Sequence, residues 1–190
     1  MSIRITSGKF RGKSIPSPPR SKPIRPTSSL LRESIFNRFS TRLDSTRFLD
    51  AFAGSGIMSL EALSRGCEFS LLLEMNDRQS RELRKIIQDF GLNDKAAQVI
   101  SVDTRHYLGQ RCRIEPFDWI FMDPPYGFKE LESLITNTLE NGWLKTDGAL
   151  IVEHGRRDPA LPGFTRRDYG DSSISILINE KSEESLSLEE

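Results

Sequence analysis

From residue 47 onward the chain alternates two kinds of pattern. Short runs that are apolar on both faces are RFLDAF (47–52), FSLLLEM (69–75), AAQVISVD (96–103), FDWIFMD (117–123) and GALIVEHG (148–155). Between them lie longer stretches with helical spacing: GIMSLEALSRG, NDRQSRELRKIIQDFG, a short piece near Thr104 to Gly109, and about Lys129 to Asn141. Strands without a polar face, separated by helices, predict a mostly parallel sheet covered on both sides. FTRRDYG and SSISILIN then read as a closing hairpin.

The first residues follow different rules. IRITSGKFRGKSI alternates around Gly8 and Gly12 and predicts a short β-hairpin. Five of the ten prolines fall within residues 16–26, which makes SPPRSKPIRP an extended linker. Thr27 is the expected N-cap of a helix running to about Phe39, with Leu31, Ile35 and Phe39 on its apolar face. The last ten residues, KSEESLSLEE, are acidic and low in complexity and read as a disordered tail. The expected division is a basic hairpin and linker over 1–26, a main domain over 27–180 and the tail over 181–190.

Composition changes this picture in one respect. The net charge over 190 residues is zero, yet residues 1–47 carry 11 Lys and Arg against two acids. A basic arm on an acidic body fits a polyanionic partner bound at one end, or a solvated terminus. Two cysteines and two histidines form no metal-ligand spacing and no disulfide framework, so no metal is expected. No apolar run approaches the roughly 20 residues of a membrane span, and the N-terminus has no signal-peptide pattern. A cytoplasmic protein is the expectation.

The candidate chemistry sits at strand ends, where open α/β sheets bind ligands. Four successive strands end in an acid: Asp50, Glu74, Asp103 and Asp123. Asp50 precedes the loop Gly54-Ser55-Gly56, a degraded form of the dinucleotide fingerprint. A carboxylate there repels a pyrophosphate and attracts a cation. Glu74 can accept ribose hydroxyls, and Asp103 an adenine amino group, unless Asp103 merely caps the next helix. Phosphate-free, hydroxyl-rich and cationic describes S-adenosylmethionine. The expected cofactor set is Asp50, Ala51, Phe52, Gly54, Ser55, Gly56, Glu74, Met75, Asp103 and Thr104.

The fourth acid opens Asp123-Pro124-Pro125-Tyr126. An exocyclic amino nitrogen is a poor nucleophile because its lone pair is delocalised into the base. Acceptors on its two hydrogens favour the sp³ character that attack requires. The Asp123 carboxylate and a backbone carbonyl, most naturally that of Pro124, can supply them, while the prolines stiffen the turn. Tyr126 offers a stacking face to a base taken out of its helix. The motif names amino-group methylation of bases, or occasionally of Gln side chains, without naming the base, and adenine-N6 methylation of DNA or RNA is the alternative to guanine-N2. Guanine's two donors suit an acceptor-only Asp123, but adenine methylases carry an aspartate there too. A non-catalytic RNA-binding protein and a nicotinamide-dependent enzyme are the rival classes. His106 and His154 read as structural, Trp119 and Trp143 as core, and Cys67 and Cys112 as free thiols. Arg156-Arg157 and Arg166-Arg167 are either phosphate contacts or a solvated face.

In order, RITSGKFRGKSI, IRPTSSLLRESIFN, LDAFAGSGIMSLEALSRG, LLLEMN, FMDPPYG and LIVEHG resemble the RsmD-type methyltransferases, from Ile3 to about Ile178. The resemblance implies a Rossmann-like class I methyltransferase fold with a seven-stranded sheet, its last strand antiparallel, plus the N-terminal hairpin. It also implies S-adenosylmethionine-dependent methylation of guanine N2 in bacterial 16S ribosomal RNA, free or within a partly assembled subunit. The hairpin would contact the RNA. Lys9, Arg11, Lys13, Arg25, Thr27 and Arg32 are the expected RNA-facing residues, and a monomer is expected.

Overall fold

The structure, a computed structural model, describes residues 2–16, 29–39 and 43–180. The linker, the expected N-cap Thr27 and the acidic tail lie outside the described residues. The chain forms two compact units, Met1–Tyr107 and Leu108–Glu190.

The first unit opens with a two-stranded antiparallel hairpin, β1 (Ser2–Arg4) and β2 (Ser14–Pro16), in which Ile3 faces Ile15. Helix α1 spans Ser29–Phe39. Leu31 and Ile35 are buried as expected, and Phe36 joins them, its ring 6.2 Å from that of Phe48. Then come β3 (Arg47–Asp50), α2 (Ile57–Ser64), β4 (Phe69–Glu74), α3 (Asp77–Asp89), β5 (Ala97–Ser101) and α4 (Thr104–Leu108). Strands β3, β4 and β5 pair in parallel. Every residue of α2 is buried, whereas α3 buries only Ser80, Leu83 and Ile87 and is capped by the Asn76 side chain accepting from the Gln79 amide at 3.0 Å.

The second unit holds β6 (Phe117–Met122), α5 (Leu131–Glu140), β7 (Leu144–Gly155), β8 (Thr165–Tyr169) and β9 (Ser172–Ile178). β7 runs parallel to β6 and antiparallel to β9, which pairs antiparallel with the edge strand β8. β7 begins four residues before the expected GALIVEHG, because Leu144 pairs with Phe117 ahead of a register shift. Its residues Ala149–Val152 are at most 1% exposed, which explains their uninterrupted apolar character. Trp119 and Trp143 lie in the core; the Trp143 indole donates to the carbonyls of Leu108 (3.2 Å) and Gln110 (2.8 Å).

The sheet order is β5-β4-β3-β6-β7-β9-β8, with β9 antiparallel to both of its neighbours. Seven strands and the separate hairpin match the expected architecture. No helix among the described residues is long and apolar enough to cross a membrane.

Candidate active site

In the first unit the chain turns sharply after β3. Gly54 and Gly56 adopt φ of 50° and 74°, in the left-handed region that favours glycine. The two differ in what surrounds them. A Cβ on Gly56 would sit 2.7 Å from a Leu83 methyl, so this glycine exists for packing. A Cβ on Gly54 would meet nothing closer than the Phe52 carbonyl at 3.8 Å. Gly54 therefore lies on the open side of the loop, where a ligand can approach the backbone. Ser55 is half-buried beside it.

Glu74 ties this loop to the end of β4. One carboxylate oxygen accepts from the Gly54 amide at 3.0 Å and the other from the Asn76 amide at 2.8 Å. Glu74 keeps partial exposure and further lone pairs, and Met75 beside it is 68% exposed. An anchored carboxylate, an open glycine and an exposed apolar side chain fit a nucleoside bearing free hydroxyls, and they disfavour a phosphate.

Asp50 stands elsewhere than expected. It is 1% exposed and faces inward, accepting from the Ser59 hydroxyl at 3.1 Å and from the backbone of Ser59 and Phe52. It closes the first turn of α2, a helix that Gly56 leaves without a side-chain cap. Thr104 is likewise buried, donating its hydroxyl to the Ala51 carbonyl. Ala51 is itself buried and Phe52 half-buried. These residues shape the loop from behind. Asp103 accepts from the Arg105 amide at 2.9 Å, which caps α4, and from the Arg105 guanidinium at 2.5 Å. Those hydrogen bonds hold its pKa below the ordinary carboxylate value. An adenine amino group would have to share Asp103 with Arg105.

Burial pushes the Asp50 carboxyl up to about 7, against the pull of the Ser59 hydrogen bonds. A raised carboxyl keeps its proton in the folded state at pH values where the unfolded chain has released it. Stability therefore falls as pH rises from about 4 to about 7, and above that it stays lowered with no further pH dependence from this group. Asp50→Asn is expected to remove that slope, with a ceiling on the effect of about 4 kcal/mol. Thermal unfolding from pH 4 to 8 checks it; parallel curves for the two proteins would clear Asp50 of the effect.

In the second unit, β6 delivers Asp123 and Pro124, both half-buried, to a turn. The Phe128 amide donates to the Pro125 carbonyl at 3.0 Å, and Gly127 takes φ of 79°. This closed turn, with a left-handed glycine in its third position, carries Tyr126 outward with full exposure. An aromatic ring that buries nothing in its own protein is available to stack on a partner.

Of the expected RNA-facing residues, Lys9, Arg11 and Lys13 are exposed on the hairpin. Lys9 and Lys13 lie over the Phe10 ring, at 4.9 and 5.2 Å from its centroid. Arg25 and Thr27 lie outside the described residues. Arg32 is only 3% exposed: its Nε faces Glu61 at 3.5 Å and its Nη2 donates to the Arg4 carbonyl at 3.0 Å. An acid 29 residues away draws it inward, so it does not present its charge as an exposed phosphate contact. The sequence reading did not single out Glu61. Its signal was a lone carboxylate in IMSLEALS, a helix with no polar face to hold it.

Arg166 is also committed, donating to the Asp158 carbonyl (2.9 Å) and to Asp168 (3.0 Å). His154 contacts the Ser175 hydroxyl at 2.8 Å, and burial lowers its pKa. Cys67 is buried and Cys112 half-buried, both as free thiols. Among the described residues no group of three or more His, Cys, Asp or Glu can hold a metal.

A family profile described as Conserved hypothetical protein 95 matches residues 3–177. The ribosomal RNA small subunit methyltransferase D of Haemophilus influenzae is 33% identical over 84% of this chain and 82% of its own length. The protein of the same name from Escherichia coli K12 is 36% identical over 84% of this chain and 78% of its own. The chain belongs to the RsmD family. A putative rRNA methyltransferase of Bacillus subtilis, YlbH, is 35% identical and covers 92% of this chain and 97% of itself. Among solved structures, the putative methyltransferase yhhF from E. coli superposes with a TM-score of 0.83 at 29% identity, over 96% of this chain and all of that one. The Thermus thermophilus 16S rRNA N2 G1207 methyltransferase, solved with AdoMet and guanosine, gives 0.74 at 17% identity over 95% of this chain and half of its own, a likeness of fold. The RsmD family thus has in this chain the Rossmann-like class I methyltransferase fold that its motifs imply.

Proposed function

We propose that this chain transfers a methyl group from S-adenosylmethionine to the exocyclic N2 amino group of a guanine in small-subunit ribosomal RNA. The observation that carries the reading is the Asp123–Phe128 turn: an acid at the end of β6, followed by a tyrosine held wholly in solvent by a closed turn. Membership of a family whose named relatives are small-subunit rRNA methyltransferases supports it.

S-adenosylmethionine, when bound, supplies a methyl group on a cationic sulfur. Gly54, Glu74 and Met75 would hold its nucleoside, with Asp103 as an acceptor for the adenine amino group. Asp50, Ala51 and Thr104 keep the loop in shape from beneath. Tyr126 stacks on the extruded guanine. Asp123 and the Pro124 carbonyl accept the two amino hydrogens and raise the electron density on nitrogen. The guanine nitrogen would take up the methyl group that the cofactor supplies, and its extra proton would pass to solvent water. No base is needed before attack, in keeping with a His154 ring engaged by the Ser175 hydroxyl. Lys9, Arg11 and Lys13 meet RNA phosphates, and Arg25 and Thr27 stay assigned to the mouth of the site. A monomer working in the cytoplasm on free or partly assembled rRNA completes the reading.

Methyl transfer to unmethylated small-subunit rRNA, followed by digestion to nucleosides, tests it. N2-methylguanosine is the expected product; N6-methyladenosine would overturn the base assignment.

A further inference from the structure

The N-terminal hairpin is docked at two points. The first is Glu61 on α2, whose side chain is completely buried. It accepts from the Thr6 amide at 2.9 Å and the Thr6 hydroxyl at 3.1 Å. It also pairs with Arg32 from α1 and with Arg65 one turn along α2. Arg65 in turn donates to the Thr6 hydroxyl at 2.8 Å, which closes a ring of contacts drawn from three elements.

The second point is Ser64, at the end of the same helix. Its carbonyl accepts from the Lys9 amide at 2.8 Å. Its hydroxyl accepts from the Phe10 amide at 2.9 Å and donates to the Ser7 carbonyl at 2.5 Å. Gly8, with φ of 79°, lies so close that a Cβ would fall 1.8 Å from the Ser64 carbonyl oxygen. The Phe10 ring meets that of Phe90 edge-on at 5.1 Å.

Two strands of three residues have little stability of their own, so the hairpin owes its shape to these contacts. Both lie on α2, the helix that begins directly after Gly56. Eight residues at about 1.5 Å each separate the glycine loop from the hairpin's tip by only ~12 Å of helix. Apolar packing could have held the hairpin as firmly. A buried carboxylate fully occupied by directional donors also fixes its register, the best-attested use of such groups. A cavity of about 700 Å³ beside the hairpin is lined by Arg4 and Arg11, whose charges suit an RNA backbone, and by Glu33 and the Glu61-bound Arg32.

We propose that Glu61 is a positioning residue for RNA. It locks the basic hairpin to the cofactor-side helix, so that RNA bound by the arm is held at a set place relative to the glycine loop. This rests on the rRNA reading above. Steady-state methylation with RNA varied, compared among wild type, Glu61→Gln and Gly8→Ala, tests it alongside amide exchange at Thr6, Lys9 and Phe10. Gly8→Ala undocks the tip without touching the buried pair, and it decides the matter if Glu61→Gln fails to fold. In both variants the RNA KM is expected to rise about tenfold as preorganisation is lost. Cofactor affinity and kcat should stay within about twofold, and the three amides should exchange faster. An unchanged RNA KM beside an active wild type, or cofactor affinity falling in parallel, overturns the positioning role. A wild type that transfers no methyl to rRNA overturns the functional reading instead and reduces Glu61 to a structural clamp.

Discussion

Asp123→Ala is expected to lower the rate of methyl transfer at saturating substrates by about 10²–10³-fold, the usual cost of losing one preorganised polar group at a reacting centre. Cofactor affinity should not change, because Gly54, Glu74 and Met75 make no use of Asp123. Stability should change little, since Asp123 is half-buried at the end of its strand, beyond the apolar run Trp119–Met122. Asp123→Asn is the sharper probe. It keeps the shape and one acceptor oxygen but adds two donors facing a donor, so its rate should fall nearly as far. Single-turnover methylation with calorimetry on S-adenosylhomocysteine separates the two properties. A turnover loss matched by a loss of cofactor binding would place Asp123 on the wrong ligand.

Tyr126→Ala should lower kcat/KM for RNA by about 10- to 100-fold, from the ~1–3 kcal/mol that one base gains by stacking on an aromatic ring. The expectation for stability is unusually clean. The side chain is fully exposed, so its removal empties no cavity and breaks no packing. Tyr126→Phe keeps the ring and should keep most of the activity. If alanine and phenylalanine prove equally damaging, the hydroxyl matters and the stacking role fails. If neither has an effect, the exposed ring is not where the base lies.

The strands were legible because parallel strands buried on both faces announce themselves as unbroken apolar runs. Leu71–Leu73, Trp119–Met122 and Ala149–Val152 are the clearest. The turn after β6 was legible for a related reason, since proline and glycine punctuate it wherever it occurs. Glu74 ends β4, as its pattern predicts. The same rule misplaced the surroundings of Asp50 and Thr104, because an acid or hydroxyl at a strand end can turn to a ligand or back to the protein. For Asp50 the choice falls to Ser59, nine residues on, and for Thr104 to a carbonyl 53 residues earlier. Arg32 illustrates the limit most plainly. In a segment with a large excess of positive charge it read as one more cation facing RNA, and only the folded chain brings Glu61 to it. Local patterns disclose which residues end elements; tertiary contacts decide which way their side chains turn.

The docking of the hairpin on α2 bears on how the chain tolerates trimming. Cutting away the first sixteen residues would look like removing an appendage, since its strands pair only with each other. It would also take Thr6 and the Ser7 carbonyl from α2, leaving Glu61 and Ser64 short of partners in a helix otherwise packed on every side. The arm is in this sense the missing wall of the domain that carries it, and a shortened chain would inherit a wound in its centre.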